Sequence, residues 1–75
     1  MGKIYNNQLA LTECELEILK YICKGRSNEQ IADILLLTER QVASQRKNIM
    51  RKAGVVKTMD LIIWSLDNDI LHKNG

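Results

Sequence analysis

Hydrophobic residues recur every three or four positions along most of the chain, which is the spacing of amphipathic helices. A Ser or Thr is followed three residues later by Glu or Gln at Thr12, Ser27 and Thr38. This capping box marks a helix start because it satisfies two backbone amides that have no partner within the helix. Gly25 and Gly54 each follow an apolar-periodic stretch, and glycine ends a helix at little conformational cost. Together these signals predict four helices, at about residues 12–24, 27–35, 38–53 and 58–72.

The second and third predicted helices are joined by a very short turn. Only Leu36 and Leu37 separate the second helix from the cap at Thr38, so the two helices must cross at a steep angle, as in a helix-turn-helix. The turn has no glycine, so either Leu36 adopts a strained conformation or the turn is of another type. The apolar stripes of the first three helices are expected to form the core: Ile18, Leu19, Ile22, Ile31, Ile34, Leu35, Val42, Ile49 and Ala53.

The fourth predicted helix has more apolar surface than a helix with one buried side needs. One stripe consists of Met59, Ile62, Ile63, Leu66 and Ile70, and a second consists of Leu61, Trp64 and Leu71. Three other short helices have too little mass to surround both stripes. We therefore expect the second stripe to form the interface of a homodimer. The alternative is a helix sunk deep in its own core.

Composition limits the architecture to one small helical domain. The chain has 75 residues, no Pro, no Phe and four Gly, which leaves few turn residues for a sandwich or barrel and room for only one core. We expect an all-α domain over residues 11–73, preceded by a polar tail or linker at residues 1–10. No export signal and no apolar run near the roughly 20 residues needed to span a bilayer is visible, so a cytoplasmic location without membrane contact is expected.

The positive charge is concentrated in one stretch. Residues 38–57 contain six bases and one acid, a net charge of +5, whereas the whole chain has +2. If Val42 and Ile49 point at the core, the opposite face of the third helix has cations and no acid, and Lys47 and Arg51 have no acid three or four residues away. A face with one sign of charge repels itself, so the pattern predicts a polyanionic partner. The alternative is an ordinary solvated face.

Catalysis and metal binding have little support. His72 is the only histidine, it lies in the last predicted turn of the fourth helix, and no Asp, Ser or Cys is placed to work with it. Cys14, Cys23 and His72 match no metal-ligand spacing, and two cysteines nine positions apart on one helix cannot form a disulfide. We expect no enzymatic activity, no cofactor and no small-molecule ligand in this domain.

Several motifs keep a fixed spacing over about residues 11–66. They are Leu11-Thr12-Glu13-Cys14-Glu15, Gly25-Arg26-Ser27-Asn28, Ile31-Ala32 with Leu35, Thr38, Val42, Ile49, and Lys52-Ala53-Gly54-Val55. In these residues the chain resembles the LuxR/GerE-type DNA-binding domain of bacterial transcription regulators, such as the FixJ-like and NarL-like response regulators. The resemblance implies a four-helix LuxR-type helix-turn-helix bundle that binds double-stranded DNA, with helix 38–53 in the major groove.

With helix 38–53 placed in the groove, the residues of this sequence predict roles for individual side chains. Base edges would be read by Ala43, Ser44, Lys47 and Asn48. Phosphates would be contacted by Ser27, Asn28, Arg40, Gln45, Arg46, Arg51 and Lys52. Two of these residues have a structural alternative. Ser27 caps the second helix in any case, and Lys52 can instead complement the helix dipole or pair with Glu15.

Five residues depart from the family pattern: Cys14, Gln41, Ala43, Gln45 and Ala53. Two of them, Ala43 and Gln45, fall on or beside the predicted reading face. An alternative function is therefore a protein-interaction module of the same fold, which heterodimerises with another regulator and no longer reads DNA specifically. The acid-free face of the third helix favours DNA binding. The sequence leaves open whether the chain is a stand-alone regulator or the effector domain of a longer one.

Overall fold

A computed structural model describes residues 11–68 and residue 70. It contains four helices and, within those residues, no strand: α1 Glu13–Cys23, α2 Asn28–Leu35, α3 Glu39–Ala53 and α4 Thr58–Asp67. The all-α prediction is confirmed, and the first three helices begin and end within one residue of the predicted bounds. The expected tail at residues 1–10 lies outside the described residues.

Three of the four helices begin with a complete capping box. The side chains of Thr12, Ser27 and Thr38 accept hydrogen bonds at 3.0, 3.1 and 3.0 Å from the amide three residues on, and the Glu or Gln at that position accepts one in return at 2.9 Å. The sequence pattern therefore marks the starts of α1, α2 and α3 correctly. In contrast, α4 starts after Lys57, whose side chain makes no capping bond.

Left-handed residues end the first three helices. Gly25, Leu36 and Gly54 have φ values of 82°, 58° and 75°. After Leu36, the Leu37 amide donates to the Ala32 carbonyl at 2.8 Å, and the same bond, reaching back five residues, closes α1 and α3. Of the two predicted alternatives for this turn, the structure has the strained Leu36. The left-handed conformation costs a non-glycine residue about 1–2 kcal/mol.

The fourth helix is shorter than predicted, because it ends at Asp67 rather than near residue 72. The Asn68 side-chain amide donates to the Trp64 carbonyl at 2.9 Å, and the Asn68 backbone amide donates to the same carbonyl at 3.1 Å. Asp and Asn favour helix ends because their side chains compete for backbone groups. The predicted interface residue Leu71 lies outside the described residues.

All four helices contribute to one core, which consists of Ile18, Leu19, Ile22, Ile31, Ala32, Val42, Ile49 and Leu61. Burying a large aliphatic side chain of this kind stabilises the fold by about 1.5–3 kcal/mol. One predicted core residue is misplaced, since Ile34 is 45% exposed. Ile31, Ala32 and Leu35 form the inward side of α2, and the rotation of the helix places Ile34 outside that side.

The orientation of α4 differs from the prediction. Leu61 is fully buried in the core, so its assignment to a dimer interface was wrong. Ser65 lies one turn further on the same buried side, and its hydroxyl donates to the Ile62 carbonyl at 2.9 Å and lies 3.4 Å from the Cys23 sulfur. A satisfied Ser therefore occupies a core position, which the apolar pattern could not reveal. In the described part of the chain, no helix has the length and hydrophobicity needed to cross a membrane.

Candidate nucleic-acid interface

The outer face of α3 is open to solvent. Val42 and Ile49, seven residues apart, are both fully buried and fix the rotation of the helix about its axis. The side chains opposite are therefore exposed, and Asn48 beside them is half-buried. The exposed ones are Arg40, Ala43, Ser44, Lys47 and Arg51. The four predicted base-reading residues thus lie on one surface.

Positive charge on this face is not neutralised by the protein itself. Within the described residues, neither Lys47 nor Arg51 forms an ion pair with a carboxylate. The Arg51 guanidinium donates one hydrogen bond, from Nη2 to the Asn48 side-chain oxygen at 3.0 Å. That bond holds the two polar side chains together on the surface and leaves the other guanidinium donors available.

Lys52 points the other way. Its Nζ donates to Oε1 of Glu15 at 2.8 Å, and Glu15 is only 3% exposed. Burial raises the pKa of Glu15, but the hydrogen bonds from Lys52 and the Thr12 amide, together with the Lys52 charge, outweigh it and leave the pKa below its ordinary value. The prediction that Lys52 contacts phosphate is replaced by the structural alternative, an ion pair that joins α3 to α1.

Arg46 is likewise engaged inside the fold. Its Nη1 donates to Oδ1 of Asn28 at 2.8 Å, and its Nη2 donates to Oγ1 of Thr58 at 2.8 Å. The half-buried guanidinium therefore connects α3 with the first residues of α2 and α4. Arg46 and Asn28, both predicted to contact phosphate, use these atoms for contacts between helices, which the spacing of residues along the chain did not reveal.

Two further residues, Ser27 and Gln45, were predicted to contact phosphate. Ser27 is exposed at the start of α2, and its hydroxyl accepts the Gln30 amide hydrogen in the capping box. Because Asn28 is bonded to Arg46, the amino end of α2 lies beside the cationic helix α3. Gln45 is half-buried on α3. Free amides at a helix start, next to a cationic helix, form an environment that favours an anion.

A separate apolar surface lies on α4. Met59, Ile63 and Leu66 are 63%, 48% and 70% exposed, and their spacing places them on one stripe. Trp64, a predicted interface residue, is half-buried and packs against the core. The predicted inner stripe is therefore divided: Met59, Ile63 and Leu66 face outward, while Ile62 and Ile70 pack against the core.

The described residues contain no candidate metal site, because no three of their His, Cys, Asp or Glu side chains lie close enough together to hold an ion. Cys14 is exposed, Cys23 is half-buried, and both are free thiols. The candidate site is therefore the cationic face of α3 and the amino end of α2.

Comparison with known proteins gives a consistent result. The GerE pattern, described as "Bacterial regulatory proteins, luxR family", matches residues 9–65. The chain is 42% identical over 65 residues to the transcriptional regulatory protein MctR of Rhizobium johnstonii, covering 87% of this chain and 30% of that protein. It is 40% identical over 62 residues to the uncharacterized response regulatory protein YgeK of Escherichia coli, covering 83% and 42%. It is 34% identical over 62 residues to the oxygen regulatory protein NreC of Staphylococcus aureus, covering 83% and 29%. No solved structure is significantly similar to the chain.

The chain spans less than half the length of each of these relatives. The family match, in contrast, covers most of the chain and includes the whole helix-turn-helix. It confirms the predicted class, a DNA-binding regulatory domain rather than an enzyme. The chain belongs to the LuxR family of bacterial regulatory proteins.

Proposed function

We propose that this chain is the DNA-binding part of a bacterial transcription regulator, and that it reads double-stranded DNA by placing α3 in the major groove. The observation that carries the proposal is the exposed, acid-free face around Lys47 and Arg51. A major groove about 12 Å wide admits an α-helix, and phosphates offset the repulsion between the cations on that face. The site of action is then the bacterial cytoplasm, at the nucleoid.

Direct readout is assigned to the middle of α3. Lys47 can donate to the acceptors of guanine, while Ser44 and the Asn48 amide can bond to either type of base-edge group. Ala43 offers only a methyl contact to thymine. These four residues share one face of the helix, as groove reading requires.

Phosphate contacts are assigned to side chains around this face and to the amino end of α2. Arg40 and Arg51 are exposed and cationic, and Gln45 is half-buried on another side of the same helix. The free amides next to Ser27 can bind a phosphate along the helix dipole. Phosphate contacts fix the register of the protein on the duplex, whereas base contacts select the sequence.

Dimerisation is assigned to the α4 stripe of Met59, Ile63 and Leu66. Three exposed apolar side chains on one stripe favour burial against a second copy, and a two-fold interface uses the same stripe twice. The operator would then be an imperfect palindrome with half-sites about 34 Å apart, or one helical turn. Leu66→Glu should shift the chain to monomers in sedimentation velocity, whereas Asp67→Asn, next to it on α4, should not.

DNA binding is tested by fluorescence anisotropy with two duplexes of equal composition. One is recovered from a random library by the 75-residue chain, and the other is its scrambled counterpart. We expect tight, salt-dependent binding to the first and weaker binding to the second. Lys20, which pairs with Glu17 at 3.5 Å on α1, provides the control Lys20→Ala.

A protein-interaction module of the same fold remains the competing function. It is supported by Ala43 on the outer face of α3 and by the apolar stripe on α4. Absence of salt-dependent retention on random DNA or heparin, together with a stable complex through α4, would favour that function over DNA reading.

A further inference from the structure

We propose that Arg46 is a positioning residue, which fixes the reading face of α3 relative to α2 and α4 instead of contacting DNA phosphate. The inference rests on the proposed function, because the face that it positions is the one assigned to base reading. The proposal is based on two hydrogen bonds that the Arg46 guanidinium donates, to Asn28 on α2 and to Thr58 on α4.

The geometry of the guanidinium suits this role. Both bonds are 2.8 Å long, and they start from the two terminal nitrogens, whose directions are fixed by the planar group. The acceptors lie 18 and 12 residues away from Arg46, so each bond joins separate elements. One side chain thus restricts both the crossing of α2 over α3 and the approach of α4 to α3. A lysine has one nitrogen and cannot reproduce this fork.

Asn28 and Thr58 are the first residues of their helices. The positive ends of two helix dipoles therefore lie near a cationic guanidinium, an arrangement that electrostatics alone does not favour. The start of α4 also lacks the capping box that the other three helices have. The hydrogen bond from Arg46 to Thr58 thus joins the start of α4 to α3.

Arg46 is next to Lys47 in the sequence and one turn before the half-buried Met50. A change in the Arg46 fork is therefore transmitted directly to the backbone that presents Ser44, Lys47 and Asn48. Because α4 is the proposed dimer helix, the same fork also sets the direction of the reading helix relative to the two-fold axis. Cognate binding, which needs base contacts in register, should depend on the fork more than non-specific binding does.

The first test needs no DNA. Thr58→Val removes the acceptor with little change in shape, and Thr58→Ser keeps the hydroxyl as the matched control. In the 75-residue chain, we expect amide hydrogen exchange at residues 43–48 to accelerate in Thr58→Val and to stay at the wild-type rate in Thr58→Ser. Unchanged exchange in Thr58→Val would contradict the positioning role, whether or not the chain binds DNA.

The second test measures affinity for the selected and scrambled duplexes at several salt concentrations. We expect Thr58→Val, Arg46→Lys and Arg46→Met each to weaken cognate binding about tenfold, by 1.4 kcal/mol, while the salt slope and scrambled-duplex affinity stay near wild type. The double variant of Arg46→Met and Thr58→Val should lose no more than Arg46→Met alone, because both remove the same bond.

Other outcomes overturn the proposal in distinct ways. A reduced salt slope in Arg46→Met, with wild-type binding in Arg46→Lys and Thr58→Val, would make Arg46 a direct phosphate contact. Lower unfolding free energy with unchanged affinity of the folded protein would make the fork a stabilising contact only. If the wild-type chain binds no duplex, the proposed function fails, and the exchange measurement still decides the role of Arg46.

Discussion

Helix α3 contains two pairs of cations with opposite surroundings. Arg46 and Lys52 are half-buried and bind partners on the other helices, at 2.8 Å in each contact described. Lys47 and Arg51 are exposed and have no carboxylate partner in the described part of the chain. The members of the two pairs are neighbours in sequence, 46 with 47 and 51 with 52. In each set of neighbours, one cation contacts another helix and the other faces solvent.

A high local charge is therefore not by itself a binding surface. Residues 38–57 have a net charge of +5, but two of the six cations are used to hold the helices together. Of these two cations, only Lys52 is neutralised, by Glu15, whereas Arg46 keeps its charge because Asn28 and Thr58 are neutral. Rotation about the axis of α3, about 100° per residue, separates each cation from its neighbour.

The largest effect is expected from Lys52→Met. It leaves the Glu15 carboxylate, 3% exposed, without the Lys52 charge, and should lower the free energy of unfolding by about 2–3 kcal/mol. Urea denaturation followed by Trp64 fluorescence measures this loss. Lys47→Met, on the exposed side of the same helix, is the control and should stay within about 0.5 kcal/mol of wild type. Equal losses in the two variants would abolish the distinction between the pairs.

The next effect is on sequence-specific binding. Lys47→Ala should weaken binding to the selected duplex by about 1–3 kcal/mol, because a base contact is lost, and should change unfolding little. Anisotropy titrations with the selected and scrambled duplexes give the ratio of affinities. An unchanged ratio would mean that Lys47 does not read bases.

Arg51→Ala should have a smaller and less selective effect. Loss of one phosphate contact weakens all duplexes alike, by about 1 kcal/mol, and lowers the slope of log affinity against log salt by about 1. Titrations at four salt concentrations provide the slope. If Arg51→Ala weakened only cognate binding, Arg51 would be assigned to base reading instead of phosphate contact.

The smallest effect concerns pH. Folding lowers the pKa of Glu15. The Glu15–Lys52 pair therefore stabilises the protein fully at a pH above the unfolded pKa of about 4.3. This stabilisation is lost as the pH falls through the pKa of Glu15 in the folded protein. Glu15→Gln keeps the capping box and should remove this part of the acid dependence. Urea midpoints at neutral and acid pH test the difference. If the urea midpoint fell equally in wild type and Glu15→Gln, protonation of Glu15 would not contribute to the acid dependence of stability.

Sequence reasoning succeeded where neighbouring residues determine structure. The capping boxes at Thr12, Ser27 and Thr38 and the left-handed residues at Gly25 and Gly54 involve contacts within five positions, so their motifs are visible in the chain. The outer face of α3 followed from 3.6-residue periodicity once Val42 and Ile49 were assigned to the core. The family resemblance followed from the same spacings.

Distant partners could not be predicted in the same way. Arg46 meets Asn28 and Thr58 only after α2 and α4 pack against α3, and nothing in its sequence neighbourhood indicates these two partners. On α4, the apolar pattern favoured Leu61 as an interface residue, whereas the packing of the helices buries it in the core. Ile34 is exposed because α2 packs through Ile31, Ala32 and Leu35, which turns Ile34 away from the core.

Four helices, their caps, a helix-turn-helix and a cationic third helix thus follow from the amino-acid sequence, because they depend on local backbone hydrogen bonding and on the helical period. The partners of Arg46 and Lys52, the buried side of α4 and the way in which α3 is held follow only from the packing of the helices. Those choices depend on contacts between residues far apart in the chain, where burial and hydrogen-bond geometry select one arrangement among several that the local pattern permits.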